Sequence, residues 1–316
     1  MAGGNQRDPQ RGATVKSNAA QRLVLGAVQF GMPYGATNRL GQVPEHEVSA
    51  ILAKAEMAGI ALIDTAAGYG SSEQVLGKLL PEYPSLGVIS KLAPIGGPKI
   101  GDDEICALRV SLLQSLDHLG KPTVDGLLIH HGADLTKPGA ARLVEFLESL
   151  RRDGIVRRIG VSVYEADEID IALNLFQPDI VQLPLNIFDQ RLIASGHINR
   201  LHDSGIEVHA RSTFLQGVLL AGAGDRPAYF ARFSKPFQSL SDCLAQSGLS
   251  ALQLCLRFML EKSGVDRVLV GVTSESELSD ILAALSSTRP LPDIRHLASA
   301  DAALVDPRQW PSRVAR

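Results

Sequence analysis

The amino-acid sequence predicts a (β/α)8 barrel forming a single α/β domain, and three observations carry that expectation. Short apolar runs of strand character alternate with helical periodicity from Leu23 to Leu285. The alternation repeats through eight strand–helix pairs in roughly 270 residues, the size at which such a barrel closes. Consecutive apolar runs also end in side chains that are costly to bury alone: Asp64, Lys91 and His130. Parallel strands would bring all three to one rim. A doubly wound open sheet is the competing arrangement. It would carry a glycine-rich fingerprint after its first strand, and Gly26-Ala27-Val28-Gln29-Phe30-Gly31 is not one.

The elements follow in order. Leu23–Phe30 reads as the first strand, followed by a Gly/Pro loop from Gly31 to Gly41. Pro44 and Glu45 open a helix whose apolar positions Val48, Ile51, Leu52, Ala55 and Ala58 follow helical spacing, and Gly59 closes it. Ile60 to Asp64 is the second strand, and Ser71 and Ser72 cap a helix with Glu73 in its first turn. Strands near Leu86–Ser90, Val124–Ile129 and Val156–Val161 precede helices at Asp102–Leu119, Ala140–Arg152 and Ala166–Phe176. Strands near Ile180–Leu183 and Glu207–Ala210 follow, the former leading to a helix around Ile193–Asp203. After an irregular stretch, a helix from about Ser250 to Lys262 precedes the last strand, Val268–Gly271, and the helix Glu275–Leu285. The least regular region, Gly222 to Gly248, holds Tyr229, Phe230, Phe233 and Phe237, which would serve either as a substrate wall or as anchors.

Composition narrows the functional classes. Of 316 residues, 45% are hydrophobic and 21% charged, with a net charge of −3, so neither nucleic acid nor an anionic membrane is an expected partner. Cys106, Cys243 and Cys255 fit neither a disulfide framework nor a zinc pattern, and a reducing cytoplasm is the simplest setting. No apolar run reaches the roughly 18 residues of a membrane span. Residues 1–20 read as a flexible polar tail without the apolar centre of a signal peptide, and residues 21–316 as the barrel.

Tyr69 joins the rim candidates from the loop just beyond Asp64. A phenol is a weak acid, with an ordinary pKa of about 10. A nearby ammonium such as Lys91 would favour phenolate, and Asp64 could hold that ammonium. With His130 to orient a substrate, the set suits proton donation to a carbonyl oxygen. Individually, each residue has a plainer reading. Asp64 and Lys91 could form a structural ion pair, and Tyr69 could be a packed loop aromatic. Their order along successive strands outweighs those readings. His131 is expected on the opposite side of the extended chain from His130. Cys106 is expected to be buried and Trp310 to pack on the barrel.

From about Leu23 to Leu285 the chain resembles the aldo-keto reductase superfamily. The resemblance rests on Leu25-Gly26, Ile63-Asp64-Thr65-Ala66 with Tyr69-Gly70, Lys91, Leu128-Ile129-His130, Gly160-Val161-Ser162 and Gln182. It implies a nicotinamide-dependent (β/α)8 oxidoreductase with Asp64, Tyr69 as proton donor, Lys91 and His130 as its tetrad, and no metal. It also implies cofactor contacts at Ser162, Gln182, Arg211, Phe214, Gln216, Gly217, Gly271, Thr273, Glu277 and Asp280.

Two departures shape the expectations. Val163 stands where the family usually has Asn, leaving Ser162 and Gln182 for the nicotinamide carboxamide. Arg211 stands where an aromatic ring usually stacks on nicotinamide. A guanidinium can stack, but suits the neutral reduced ring better than the oxidised cation. Glu277 lies where NADPH users often carry basic residues. A carboxylate there repels a 2′-phosphate, so NAD(H) is favoured over NADP(H). The expected activity is reduction of an aldehyde or ketone, on a sugar or other polar metabolite, to an alcohol. The alternative is an NADH-binding, redox-responsive regulator with little turnover, docking a protein partner through the basic segment Arg7–Lys16.

Overall fold

The computed structural model describes residues 19–312 and Val314. The polar tail lies outside the described residues except for Ala19 and Ala20, which form a helical turn with Ala20 buried. Eight parallel strands close a barrel in sequence order. They are β1 (Leu23–Gly26), β2 (Leu62–Asp64), β3 (Gly87–Lys91), β4 (Gly126–Ile129), β5 (Ile159–Ser162), β6 (Ile180–Pro184), β7 (Glu207–Arg211) and β8 (Arg267–Gly271). Pairing of Leu23 with Val268 and Gly26 with Gly271 closes the ring between β1 and β8.

Side chains alternate across a strand, so each strand has an inward and an outward set. Val24, Leu62, Ile89, Leu128, Ile180 and Leu269 form a separate apolar cluster inside the barrel. Gly160 occupies the same layer by register, through Leu128↔Gly160↔Ile180. Gly160 is needed there because a Cβ would lie 2.1 Å from the Ile180 carbonyl oxygen. Outward residues such as Leu23, Leu25, Ile63, Val88 and Val161 join the larger core under the helices.

Those helices are α1 (Glu45–Met57), α2 (Ser72–Leu79), α3 (Asp102–Leu119), α4 (Ala140–Arg152), α5 (Ala166–Leu175), α6 (His197–Asp203), α7 (Ser234–Ser247), α8 (Ala251–Glu261) and α9 (Glu275–Ala284). Among the described residues, no single helix is long and apolar enough to cross a membrane.

Several expectations need correction. The first strand stops at Gly26, and Val28–Gly31 is a helical turn: Ala27 N–H makes the last ladder bond, to Asp64 O, and the chain then coils, with Phe30 N–H bonded to Ala27 O and Met32 N–H to Val28 O. The helix expected at Ile193–Asp203 is broken by Gly196 at φ 79° into Arg191–Ala194 and α6. The region Gly222–Gly248 is largely ordered: Ala228–Phe233 is a 3-10 turn, and α7 ends on left-handed Gly248. Its aromatics are anchors. Phe230 packs edge-on against Trp310 at 4.9 Å, and Phe237 against Phe188 at 5.4 Å. Trp310 packs on the barrel as expected, whereas Cys106 faces outward from α3 and is exposed.

Candidate functional site

One step of two residues above the apolar layer lies a second inward layer at the C-terminal mouth. It consists of Gly26, Asp64, Lys91, His130, Ser162, Gln182, Arg211 and Gly271, and all border one cavity of about 760 Å³. The period of two thus converts a hydrophobic plug into a polar floor within one residue pair per strand.

The floor is tightly wired. Lys91 Nζ donates to Asp64 Oδ1 at 2.5 Å, to Thr65 O at 3.0 Å and to Tyr69 Oη at 3.4 Å. Gln182 Nε2 donates to Asp64 Oδ2 at 2.7 Å, across the barrel mouth from β6. Asp64 and Lys91 are almost wholly buried, so the charge of each is met by the other. The Tyr69 ring meets the His130 ring edge-on, with centroids 5.7 Å apart. Tyr69 is fixed through its backbone, with its N–H bonded to Ala66 O and its carbonyl accepting from Ser72 N–H. Gly31 allows this, since a Cβ there would lie 1.9 Å from Tyr69 O.

Electrostatics differ from the expectation that Lys91 would lower the Tyr69 pKa. Burial and then the Asp64 charge raise the phenol above its ordinary value, with Arg211 the cation that opposes them. The Lys91 charge is already matched by Asp64. Burial pulls the Lys91 ammonium down, against the opposing effect of Asp64. Burial, helped by Lys91, His131 and Arg211, lowers the His130 imidazole to about 3, so it is neutral at ordinary pH.

This last shift has a measurable consequence. The unfolded chain binds the His130 proton near pH 6.5, and the folded protein only near pH 3. Between those values the unfolded state holds the extra proton, so stability rises with pH and levels off above the window. The Glu207 carboxylate at the opposite end of the barrel sits at about 2, despite burial, through His209, Arg158 and Arg267. Its influence is therefore confined below the ordinary carboxylate range. Urea midpoints of the parent and of His130→Asn should diverge between pH 6.5 and 5, the parent losing up to about 1.4 kcal/mol more per pH unit. Parallel curves would remove His130 as the neutral group.

Every residue expected at the site borders the cavity, from Asp64, Tyr69, Lys91 and His130 through Ser162, Gln182, Arg211, Phe214, Gln216 and Gly217 to Gly271, Thr273, Glu277 and Asp280. Val163 does not; its side chain is buried, its N–H bonds Gln182 O and its carbonyl accepts from Arg211. Arg211 packs at 4.0 Å on the Tyr164 ring, whose centre Arg308 also meets at 3.7 Å. His131 is a correction. Its ring tilts against His130 at 4.9 Å and borders the same cavity.

The cavity also reaches residues that pattern alone did not single out, including Gln29, Tyr34, Thr37 and Tyr164. An aromatic in the Gly/Pro loop after β1 was the available signal for Tyr34. The loop after β7 is strained, with positive φ at the non-glycine residues Ser212 (66°), Leu215 (48°) and Gln216 (54°). At the far end, Glu277 Oε2 accepts from Thr273 N–H at 2.6 Å, and Ser274 Oγ caps α9 by accepting from Glu277 N–H. Among the described residues, no group of three or more His, Cys, Asp or Glu side chains is placed to hold a metal ion.

Comparison with known proteins places these features in context. The family model described as "Aldo/keto reductase family" matches residues 22–301. The NADH-specific methylglyoxal reductase of Escherichia coli (strain K12) is 27% identical over 285 residues, covering 80% of this chain and 84% of that protein. The L-galactose dehydrogenase of Arabidopsis thaliana is 27% identical over 312 residues, covering 92% and 95%. Among solved structures, an aldo-keto reductase from Bacillus halodurans in its holo form superposes with a TM-score of 0.71 at 20% identity, over 88% of this chain and 92% of that one. The glycerol dehydrogenase of Gluconobacter oxydans gives 0.66 at 23% identity, over 92% and 93%.

Proposed function

The chain belongs to the aldo/keto reductase family, and on that premise we propose that it reduces an aldehyde or ketone to an alcohol with NADH as the favoured cofactor and Tyr69 as the proton donor. The observation that carries this reading is the Lys91 ammonium held between Asp64 Oδ1 and Tyr69 Oη, with neutral His130 against the Tyr69 ring. Tyr69 Oη gives its proton to the carbonyl oxygen as that oxygen gains charge. Lys91 Nζ then stabilises the phenolate left behind, and Asp64 keeps Lys91 in place. His130, uncharged, orients the carbonyl by a hydrogen bond. A phenol whose pKa burial raises stays protonated, which suits the reductive direction.

The cavity fits a nicotinamide cofactor. It runs continuously from Lys91 to the start of α9, and on its walls Gln29 Oε1 and Gln216 Oε1 are buried without hydrogen-bond partners among the described residues. Such acceptors suit hydroxyl or amino groups of a ligand. When bound, the cofactor supplies a hydride to the carbonyl carbon. Ser162 and the Gln182 amide oxygen would hold the carboxamide, since the Gln182 nitrogen is committed to Asp64. Arg211, Phe214, Gln216 and Gly217 would line the nicotinamide half, and Gly271, Thr273, Glu277 and Asp280 the adenosine half. The Arg211 guanidinium disfavours a positively charged oxidised ring and so retains the reduced form.

The preference for NADH rests on charge. From β8, α9 and the loop between them the cavity is bordered by Leu269, Gly271, Val272, Thr273, Glu277, Asp280 and Ile281, a set with two acids and no base. A 2′-phosphate meets repulsion there. The similarity to the NADH-specific methylglyoxal reductase of Escherichia coli supports the same direction. Small polar carbonyl compounds are the substrate class that the similarity to a methylglyoxal reductase and an L-galactose dehydrogenase and the polar floor support. Fluorescence titration with NADH and NADPH, followed by a panel of aldehydes, ketones and sugars, tests the reading. NADH should bind more tightly, and Glu277→Lys should narrow the gap by roughly tenfold. Tight NADH binding without turnover across the panel would replace the reductase with an NADH-responsive regulator.

A further inference from the structure

Two phenols in this cavity, Tyr34 and Tyr164, are not used by the tetrad chemistry, and the Tyr164 ring is covered by Arg211 and Arg308. Tyr34 stands in the loop after β1 and borders the same space as Tyr69 and His130. Burial raises the Tyr34 phenol well above its ordinary value and keeps it protonated. Its oxygen accepts a hydrogen bond from Gln216 Nε2 at 3.2 Å, and its own O–H has no acceptor among the described residues. The chain therefore presents a free donor to the cavity that Tyr69 and His130 also border, and accepting from Gln216 strengthens that donor.

The position is held by both loops. Asn38 clamps the Tyr34 loop, its Nδ2 donating to Tyr34 O at 3.0 Å and Gly41 O at 2.8 Å. Its Oδ1 accepts from Leu40 N–H and Gly41 N–H. Thr37 Oγ1 reaches Gln216 O at 3.4 Å, and Gly217 must lack a side chain because a Cβ would lie 1.9 Å from Thr37 Oγ1. Gln216 keeps a left-handed backbone, φ 54°, to complete the contact. Strain of this kind persists where the surrounding structure over-determines it.

We infer that Tyr34 recognises substrate, its O–H donating to an oxygen on the carbon next to the reacting carbonyl, and thereby selects 2-hydroxy and 2-oxo carbonyl compounds over simple aldehydes. The inference rests on the reductase reading above. A site built to hydrogen-bond a substrate oxygen discriminates strongly against the analogue that lacks it, because its own polar group is then left unpaired.

The test compares glyceraldehyde and methylglyoxal with propanal, using NADH, in the parent and in Tyr34→Phe. The ratio of kcat/KM for each oxygenated substrate to that for propanal should fall by about 10- to 100-fold in the variant. Most of the change should lie in KM, with NADH affinity and thermal midpoint close to the parent's. An equal loss on all three substrates would make Tyr34 a loop tie and overturn the inference, as would an unchanged ratio. A parent that reduces none of the three would sink the reductase reading and this inference together. A parent that reduces them with a Tyr34-independent ratio would sink the inference alone.

Discussion

Tyr69→Phe is expected to lower turnover of every carbonyl substrate by about 10²- to 10⁴-fold, the range over which a positioned proton donor acts, while NADH still binds. The substitution removes one oxygen and leaves the ring in its contact with His130. The backbone of Tyr69 is held through Ala66, Ser72 and the close approach of Gly31, none of which involves Oη. The loss should therefore appear in kcat more than in KM, and the thermal midpoint should stay near the parent's. Stopped-flow oxidation of NADH with the best panel substrate measures the step. A variant within tenfold of the parent would remove Tyr69 as the donor, and a solvent-accessible group such as His131 would then be the one to test.

The site could be read because its residues close strand-like runs, where burying an unpaired charge is too costly to be incidental. Asp64 and Lys91 are legible in this way, and the period of two then places His130, Ser162, Gln182 and Arg211 on the same inward layer. What could not be read is who answers whom. The Gln182–Asp64 bond joins positions on β2 and β6 that only barrel closure brings together. The Asp64–Lys91 pair on adjacent strands is the expected one, but burial, which pattern does not show, raises the Tyr69 phenol where the ammonium is expected to lower it.

Local pattern failed where two signals competed. The apolar run after Gly26 suggested more strand, yet the chain had to turn for Gly31 to meet the Tyr69 loop. In the Gly222–Gly248 region, Pro236 and the aromatics masked a helical spacing at Phe237, Leu240 and Leu244. Pro236 falls in the first turn of α7, where a missing N–H costs nothing. Cys106 has apolar neighbours, but its own face of α3 also carries exposed Val110 and Leu113, so the helix turns that side outward.

Lys91→Met should separate what the ion pair does for the fold from what it does for the chemistry. Removing the ammonium leaves Asp64 buried with Gln182 Nε2 as its remaining side-chain partner. An uncompensated buried carboxylate costs about 3–5 kcal/mol, enough to consume a large share of a typical domain's stability. The carboxyl should respond by binding a proton more readily than in the unfolded chain. A folded-state pKa raised in this way favours the fold at low pH, so the deficit should shrink as the solution is made more acid. Lys91→Met combined with Asp64→Leu removes both charges and leaves the Gln182 amide and, as in the single variant, the Thr65 carbonyl without those partners, a loss of about 1–3 kcal/mol for each. The double variant should therefore be more stable than the single one in urea while remaining without reductase activity. If the double variant were as unstable as Lys91→Met, the packing of the lysine stem would matter more than its charge. If it still reduced carbonyls, the chain from Asp64 through Lys91 to Tyr69 would be structural, and proton donation would have to run through another group on the floor.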